Sequence, residues 1–314
     1  MKKVLLIGTG YMAKEYIKVL KDLGVNCIVV GNSKNSCEKF QDDTGIKAQA
    51  GGIETFIKNN TMDNYYVINS VNAEKLYQTT KLLLENNVKN ILVEKPAGLN
   101  KREIEDLYYI SRDKKAKVFV AYNRRFYAST LKAKEIIQND EGVTSFNFEF
   151  TEWAHEIEKL DKPNSVLKKW FIANSTHVVD LAFYLGGVPK EICCYTSGSL
   201  NWHPNASVFS GSGISKKGAL FSYFANWESA GRWSVEILTK KHKLIFRPME
   251  KLQIQKKGSV AQEFVAIDYS LDEKYKPGLY LQTKKFLEDN TEDLCGLEYH
   301  FNVFDIYIKI GNYV

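Results

Sequence analysis

The fold class predicted is a doubly wound parallel α/β sheet over residues 1–122, followed over residues 123–314 by an α+β domain built on a large, mainly antiparallel open sheet. Three observations carry this prediction. In the first part, short and uniformly apolar runs alternate with segments of helical periodicity, the mark of parallel strands covered on both faces. After residue 123 the rhythm changes, and Phe146, Phe148 and Phe150 alternate with Ser145, Asn147, Glu149 and Thr151. That period of two buries one face of a strand and wets the other. The 314 residues also fit two domains at about 150 residues each.

In chain order, Lys3–Ile7 is a strand, and residues 11–23 form a helix with Met12, Tyr16, Val19, Leu20 and Leu23 at helical spacing. Cys27–Val30 is a second strand, followed by a polar turn and a helix through Phe40. Tyr65–Asn69 is a strand, 73–85 a helix, 91–93 a strand, 101–111 a helix and 118–122 a strand. In the second part, strands are expected at 191–197, 219–227, 233–239, 243–246 and 252–255. One helix, 175–185, ends at Gly186-Gly187 with Pro189 beyond, a helix-stop signature. Leu279–Leu287 and residues 298–310 read as helices that can pack back on the first domain.

Composition narrows the class. Lys and Arg number 43 against 37 Asp and Glu, a net charge of +6, with both signs interspersed. A nucleic-acid binder concentrates its basic residues on one surface, so no nucleic-acid partner is expected. No stretch reaches the roughly 18–20 apolar residues needed to cross a bilayer, so no membrane partner is expected. The opening Met1-Lys2-Lys3 and Val4–Ile7 imitate a secretory signal, but the apolar run stops at Gly8. Five cysteines, odd in number and sparse, fit free thiols in a reducing compartment, hence a cytoplasmic protein. Cys193 and Cys194 point to opposite faces of a strand, with no second Cys/His cluster, so no metal is expected.

The chemistry begins at Gly8-Thr9-Gly10-Tyr11-Met12-Ala13, between the first strand and the first helix. This fits G-x-G-x-x-G/A: the first glycine permits the tight turn, the second lets a pyrophosphate approach the backbone, and small Ala13 lets the helix pack on its strand. The helix N-terminus offers N–H donors to phosphates, so the first part is expected to be a Rossmann dinucleotide-binding domain. At the end of the second strand, where an NAD site places Asp or Glu on the adenine ribose, stand Gly31-Asn32-Ser33-Lys34 with no carboxylate. Asn32 and Ser33 can donate to a 2′-phosphate and Lys34 supplies charge, so NADP is preferred over NAD. An ordinary polar turn would leave that preference open.

Glu94-Lys95-Pro96 directly follows residues 91–93. An isolated Glu-Lys-Pro reads as a salt-bridged loop, but the C-terminal ends of parallel strands are where ligands bind in open α/β sheets. Trp153 and Trp170 suit sugar stacking and core filling equally. Lys168-Lys169 could bind a phosphate or simply be solvated, and Lys240-Lys241-His242-Lys243 reads as a hairpin turn without the interleaved aromatics of a nucleic-acid patch.

Together with Tyr122-Asn123-Arg124-Arg125-Phe126 and His177-Val178-Val179-Asp180, these motifs resemble the Gfo/Idh/MocA family (glucose–fructose oxidoreductase, inositol dehydrogenase, rhizopine catabolism) in order and approximate spacing. The resemblance covers essentially the whole chain, and Glu-Lys-Pro after a strand is its most specific mark. It implies a Rossmann domain joined to an open antiparallel sheet. It also implies NAD(P)-dependent oxidation or reduction of sugars, cyclitols or nucleotide sugars, and homodimers or homotetramers packed through that sheet. By position, Lys95 and His177 are implied as catalytic. Asn69-Ser70-Val71 lies by the nicotinamide, with Ser70, Val71, Glu94 and Arg125 among the cofactor contacts. Tyr122, Asn123, Arg125, Trp153, Trp170 and Asn174 lie by the substrate. Asp180, at i+3 from His177, shares its helix face. A lone histidine at position 177 would otherwise read as one satisfied by a neighbour.

The sequence departs from the family where many members carry Asp four residues before the histidine: here the run is Ala173-Asn174-Ser175-Thr176-His177. That absence motivates the alternative of a non-catalytic dinucleotide sensor or partner-binding protein on the same scaffold. A methyltransferase using S-adenosylmethionine shares the glycine turn but explains neither Glu94-Lys95-Pro96 nor the second sheet.

Overall fold

The computed structural model describes residues 2–313, and the chain divides into two compact units. The first comprises residues up to Asn123 together with 273–304, and the second comprises 124–272 and 305 onward.

In the first unit, strands β1 (Lys3–Ile7), β2 (Cys27–Val30), β3 (Ala48–Gln49), β4 (Tyr65–Asn69), β5 (Asn90–Val93) and β6 (Lys117–Val120) alternate with helices. These are α1 (Tyr11–Asp22), α2 (Lys34–Thr44), α3 (Gly52–Asn59), α4 (Leu76–Glu85) and α5 (Lys101–Asp113). The continuation runs α6 (Ala128–Asn139), β7 (Ser145–Glu149), α7 (Ala154–Ile157), α8 (Asn164–Leu167), α9 (Thr176–Gly186), β8 (Pro189–Ser197), β9 (Val208–Ser215) and β10 (Leu220–Asn226). It ends with β11 (Ser234–Leu238), β12 (His242–Phe246), β13 (Gln253–Lys256), β14 (Glu263–Phe264), α10 (Ser270–Lys274), α11 (Leu279–Leu287), β15 (Cys295–Gly296) and α12 (Leu297–Ile310).

The first sheet has the order β15-β6-β5-β4-β1-β2-β3. Strands β1–β6 are mutually parallel in the 3-2-1-4-5-6 order of a Rossmann domain, and β15 adds an antiparallel edge to β6. Uniform burial of Val4–Ile7, Val67, Ile68 and Ile91–Val93 explains the unbroken apolar runs: helices cover both faces.

The second sheet has eight strands, β14-β13-β12-β11-β7-β10-β9-β8, antiparallel throughout except for the β7–β10 pair. Its inner face is aromatic. Phe146 stacks on Phe221 at 5.1 Å and Phe148 on Tyr223 at 5.3 Å, and Phe183 of α9 meets Phe148 edge-on at 5.6 Å. Gly186 lets α9 end against the Phe146 ring, which a Cβ there would overlap. The turn at Lys240 and Lys241 joins β11 to β12, as the hairpin reading expected.

The sequence reading omits β9. Its Val-Phe-Ser-Gly-Ser-Gly-Ile-Ser run looks like a loop, yet glycine is required there: a side chain at Gly211 would overlap Tyr223, and one at Gly213 the Glu191 carbonyl. Residues 73–75 form a 3₁₀ turn before α4, and residues 171–175 form a π-helical turn before α9. No helix among the described residues is long and apolar enough to cross a membrane.

Candidate active site

In the first unit, the parallel register aligns Ile7, Asn69, Val93 and Val120 at the C-terminal edge. Gly8, Ser70, Glu94 and Ala121 follow them, so the glycine turn and the Glu94-Lys95-Pro96 motif emerge at the same edge, on either side of Ser70. Gly8 has φ +113°, and a Cβ there would come within 2.8 Å of the Ser70 carbonyl oxygen. Glycine therefore permits both the conformation and the approach to β4. The Ser70 hydroxyl donates to the Ile7 carbonyl at 2.9 Å, closing the other side of the turn.

Gly10 caps α1 with no side-chain cap and no acidic residue in the first turn, and a Cβ there would meet nothing within 4 Å. Open space against a bare helix N-terminus fits a pyrophosphate. Ala13 is fully buried, as the third position of the fingerprint requires. After β2, Ser33 accepts from the Ser36 amide at 3.2 Å and so caps α2, whose first turn also lacks acidic residues. Asn32 and Lys34 are exposed, and Lys34 approaches Glu38 at 3.8 Å.

The Tyr16 hydroxyl of α1 donates to Glu94 at 2.8 Å, tying the glycine-turn helix to the loop that carries Lys95. Burial pushes the Glu94 carboxyl up, against the pull of Lys95 and Lys276, and pushes Tyr16 well above its usual range. The loop closes with a cis Lys95–Pro96 bond, Ala97 in the left-handed region at φ 66°, and the Ala97 amide on the Glu94 carbonyl at 3.0 Å. His300 Nε2 donates to the Pro96 carbonyl at 3.0 Å. Asn69 is buried and donates to Leu76 and Thr80, joining β4 to α4. Val71 is partly exposed beyond it. Tyr122 is buried beside His300, and Asn123 donates to the Pro277 carbonyl at 2.8 Å.

In the second unit, His177 is partly exposed on the first turn of α9, among buried neighbours. Its ring lies 6.5 Å from that of Trp233. Asp180, one turn on, is bound bidentately by Arg125, with Nε at 2.8 Å and Nη2 at 2.5 Å. Both are buried, so this pair fastens α9 to the 3₁₀ turn Asn123–Phe126. Trp153 is exposed, its Nε1 donating to the Gly231 carbonyl at 2.9 Å. Trp170 is buried edge-on against Trp202 at 6.4 Å. Burial lowers the Lys169 ammonium, which sits 4.0 Å over the Tyr313 ring.

Where the sequence lacks a carboxylate on the turn before His177, the fold brings one from another element. Glu152, 2% exposed, accepts from Asn174 Nδ2 and Ser175 Oγ, each at 2.8 Å, and lies 3.6 Å from Arg232. Sequence reasoning missed it, although a signal was there: Glu152 continues the inward series Phe146, Phe148, Phe150, and a carboxylate at an inward position needs partners. Arg124, Arg232 and Trp233 were missed as well. No group of three or more His, Cys, Asp or Glu among the described residues could hold a metal ion.

The glycine turn, the strand order and the edge alignment define a dinucleotide-binding Rossmann unit. Residues 2–122 match the Gfo/Idh/MocA model, described as an oxidoreductase family with an NAD-binding Rossmann fold. No curated protein matches the sequence. The whole chain shares its fold with solved structures. The dehydrogenase MviM of Clostridium difficile has TM-score 0.77 and 22% identity, covering 100% of this chain and 99% of that one. Levoglucosan dehydrogenase, solved with NADH and levoglucosan, has TM-score 0.78 and 18% identity, covering 98% and 95%. UDP-N-acetylglucosamine 3-dehydrogenase GnnA of Acidithiobacillus ferrooxidans has TM-score 0.75 and 13% identity, covering 98% and 96%.

Proposed function

We propose that this chain is an NAD(P)-dependent oxidoreductase exchanging a hydride with a sugar, cyclitol or nucleotide-sugar alcohol or ketone. The observation that carries the reading is the shared sheet edge: Gly8–Ala13, Ser70 and Lys95 emerge side by side, with Glu94 bound to the helix that opens at Gly10. Gly8, Thr9, Gly10, Tyr11 and Met12 would hold the pyrophosphate, with buried Ala13 packing α1 on its strand, and Ser70, Val71, Glu94 and Lys95 would border the reactive ring. The missing carboxylate after β2, the exposed Asn32 and Lys34 and the acid-free start of α2 support NADP over NAD.

When bound, the nicotinamide supplies or accepts the hydride. Lys95 orients the reacting oxygen by donating a hydrogen bond to it, and His177 takes or returns the hydroxyl proton. Glu152 holds the turn that presents His177, in place of the carboxylate absent at position 173. Arg125 acts through its pair with Asp180. Tyr122 and Asn123 in the first unit, and Trp153, Trp170 and Asn174 in the second, are the candidate substrate contacts. A buried carboxylate bound to that turn weakens the case for a non-catalytic sensor.

Cysteines not joined in disulfides among the described residues support a cytoplasmic setting. Self-association through the second sheet is supported by Tyr195, Leu220 and Phe224, exposed on β8 and β10, with Tyr195 and Phe224 both in register with Ser210. Titration with NADPH and NADH, then a sugar panel followed at the reduced-nicotinamide absorbance band, tests the function. Coenzyme uptake and turnover of a sugar-type alcohol or ketone are expected, and no uptake of either coenzyme contradicts the reading.

A further inference from the structure

Four arginines cluster around the second unit's candidate residues, and three have carboxylate partners. Arg125 binds Asp180, Arg247 binds Glu149, and Arg232 lies beside Glu152. Arg124 is different. Among the described residues its side chain has no carboxylate partner and makes no hydrogen bond, and its Nε is buried with no acceptor. Its guanidinium packs over the Trp233 indole at 4.6 Å and over Tyr127 at 5.6 Å. Trp233 also carries Arg232 at 4.8 Å, leaves its own buried Nε1 without an acceptor, and neighbours His177.

A guanidinium stacked on an aromatic face keeps its in-plane N–H fork available, and that fork matches a carboxylate or phosphate bidentately. Buried donors without acceptors are rare enough in folded proteins to call for an explanation. Here two of them, Arg124 Nε and Trp233 Nε1, sit on stacked side chains beside the candidate proton-transfer residue. Glu149 and Glu152 are both engaged by other arginines, and Asp272, whose charge like that of Arg124 reaches Tyr127, accepts from the Ala128 amide.

We propose that Arg124 is the specificity anchor for an anionic group, a carboxylate or a phosphate, on the substrate handled at His177. This rests on the oxidoreductase reading and narrows its substrate class to sugar acids or nucleotide sugars, excluding neutral sugars and cyclitols.

The test is calorimetric titration of the full chain, with and without saturating NADP, against D-glucuronate, UDP-glucose and D-glucose at matched ionic strength. Wild type is compared with Arg124→Gln and with the charge-keeping Arg124→Lys. At least one anionic probe is expected to bind tenfold or more tightly than D-glucose. That preference should fall below about threefold in Arg124→Gln and survive in part in Arg124→Lys. Tighter glucuronate identifies a carboxylate as the group, and tighter UDP-glucose a phosphate. The proposal is overturned if neither anion outbinds D-glucose, including the case in which nothing binds, or if Arg124→Gln keeps the preference. If Arg124→Gln does not fold, an undiminished preference in Arg124→Lys overturns it. Failure to take up NADP would instead sink the oxidoreductase reading, which the coenzyme arm reports separately.

Discussion

At the scale of single residues, the account places proton handling on His177 and its presentation on Glu152. General acid–base groups supply about 10²–10⁴-fold, so His177→Ala should lose about 3–5 kcal/mol of transition-state stabilisation. Coenzyme affinity should change by less than about twofold, and steady-state kinetics alongside coenzyme titration checks both. Glu152→Gln keeps one carbonyl acceptor for Asn174 and Ser175 but removes the charge beside Arg232. It should lower kcat by about tenfold and shift its pH profile, with coenzyme binding intact. Glu152→Ala should also cost about 1–3 kcal/mol of stability, because buried donors lose their acceptor. Lys95 and His177 were expected from the sequence through the family resemblance, which places one directly after a strand and the other on a helix. Glu152 and Arg124 were not, because their meaning depends on partners on other elements: Asn174 and Ser175 for the first, and for the second the absence of a carboxylate that a neighbouring arginine possesses.

Secondary-structure elements are where local pattern and tertiary demand either agree or part. Strands β1, β2 and β4 carried their signal in unbroken apolar runs, and the helix closing at Gly186 carried it in its stop residues. The strand β9 was hidden because glycine serves there as a spacing device rather than a turn former. The Arg125–Asp180 pair joins the 3₁₀ turn at 123–126 to α9, with both side chains buried. Arg125→Ala should therefore destabilise the protein by about 3–5 kcal/mol, since it strands a buried carboxylate; denaturant unfolding measures this. A second such tie is His203, whose Nδ1 donates to the Ala206 carbonyl at 2.7 Å and whose Nε2 accepts from the Tyr313 hydroxyl at 2.6 Å. Burial lowers its pKa from 6.5 to about 4. The unfolded chain therefore binds the extra proton between these values. The stabilisation is complete above about pH 6.5 and is lost as pH falls toward 4, by about 3 kcal/mol in all. His203→Gln should flatten the fall of Tm with pH across that window, and an unchanged slope would remove His203 as its source.

For the whole molecule, the change from unbroken apolar runs to strict alternation located the switch from parallel to antiparallel sheet. Residues 273–304 return to the first unit, where β15 pairs with β6; the sequence offered the C-terminal helices for such packing but not β15, because a two-residue edge strand has no period. Exposure of Tyr195 and Phe224 predicts self-association, and the double substitution to Glu should shift the sedimenting species toward monomer. The central claim is that the space above Gly10 belongs to a coenzyme rather than to the protein. Gly10→Val tests it most directly, because among the described residues, its chain neighbours apart, nothing lies within 4 Å of an added Cβ. The account predicts a Tm within about 2 °C of wild type, consistent with the small effects of substitutions that meet no neighbour. It also predicts NADPH affinity at least about a hundredfold weaker by calorimetry, or about 2.7 kcal/mol. Wild-type NADPH affinity in a stably folded Gly10→Val protein would contradict it.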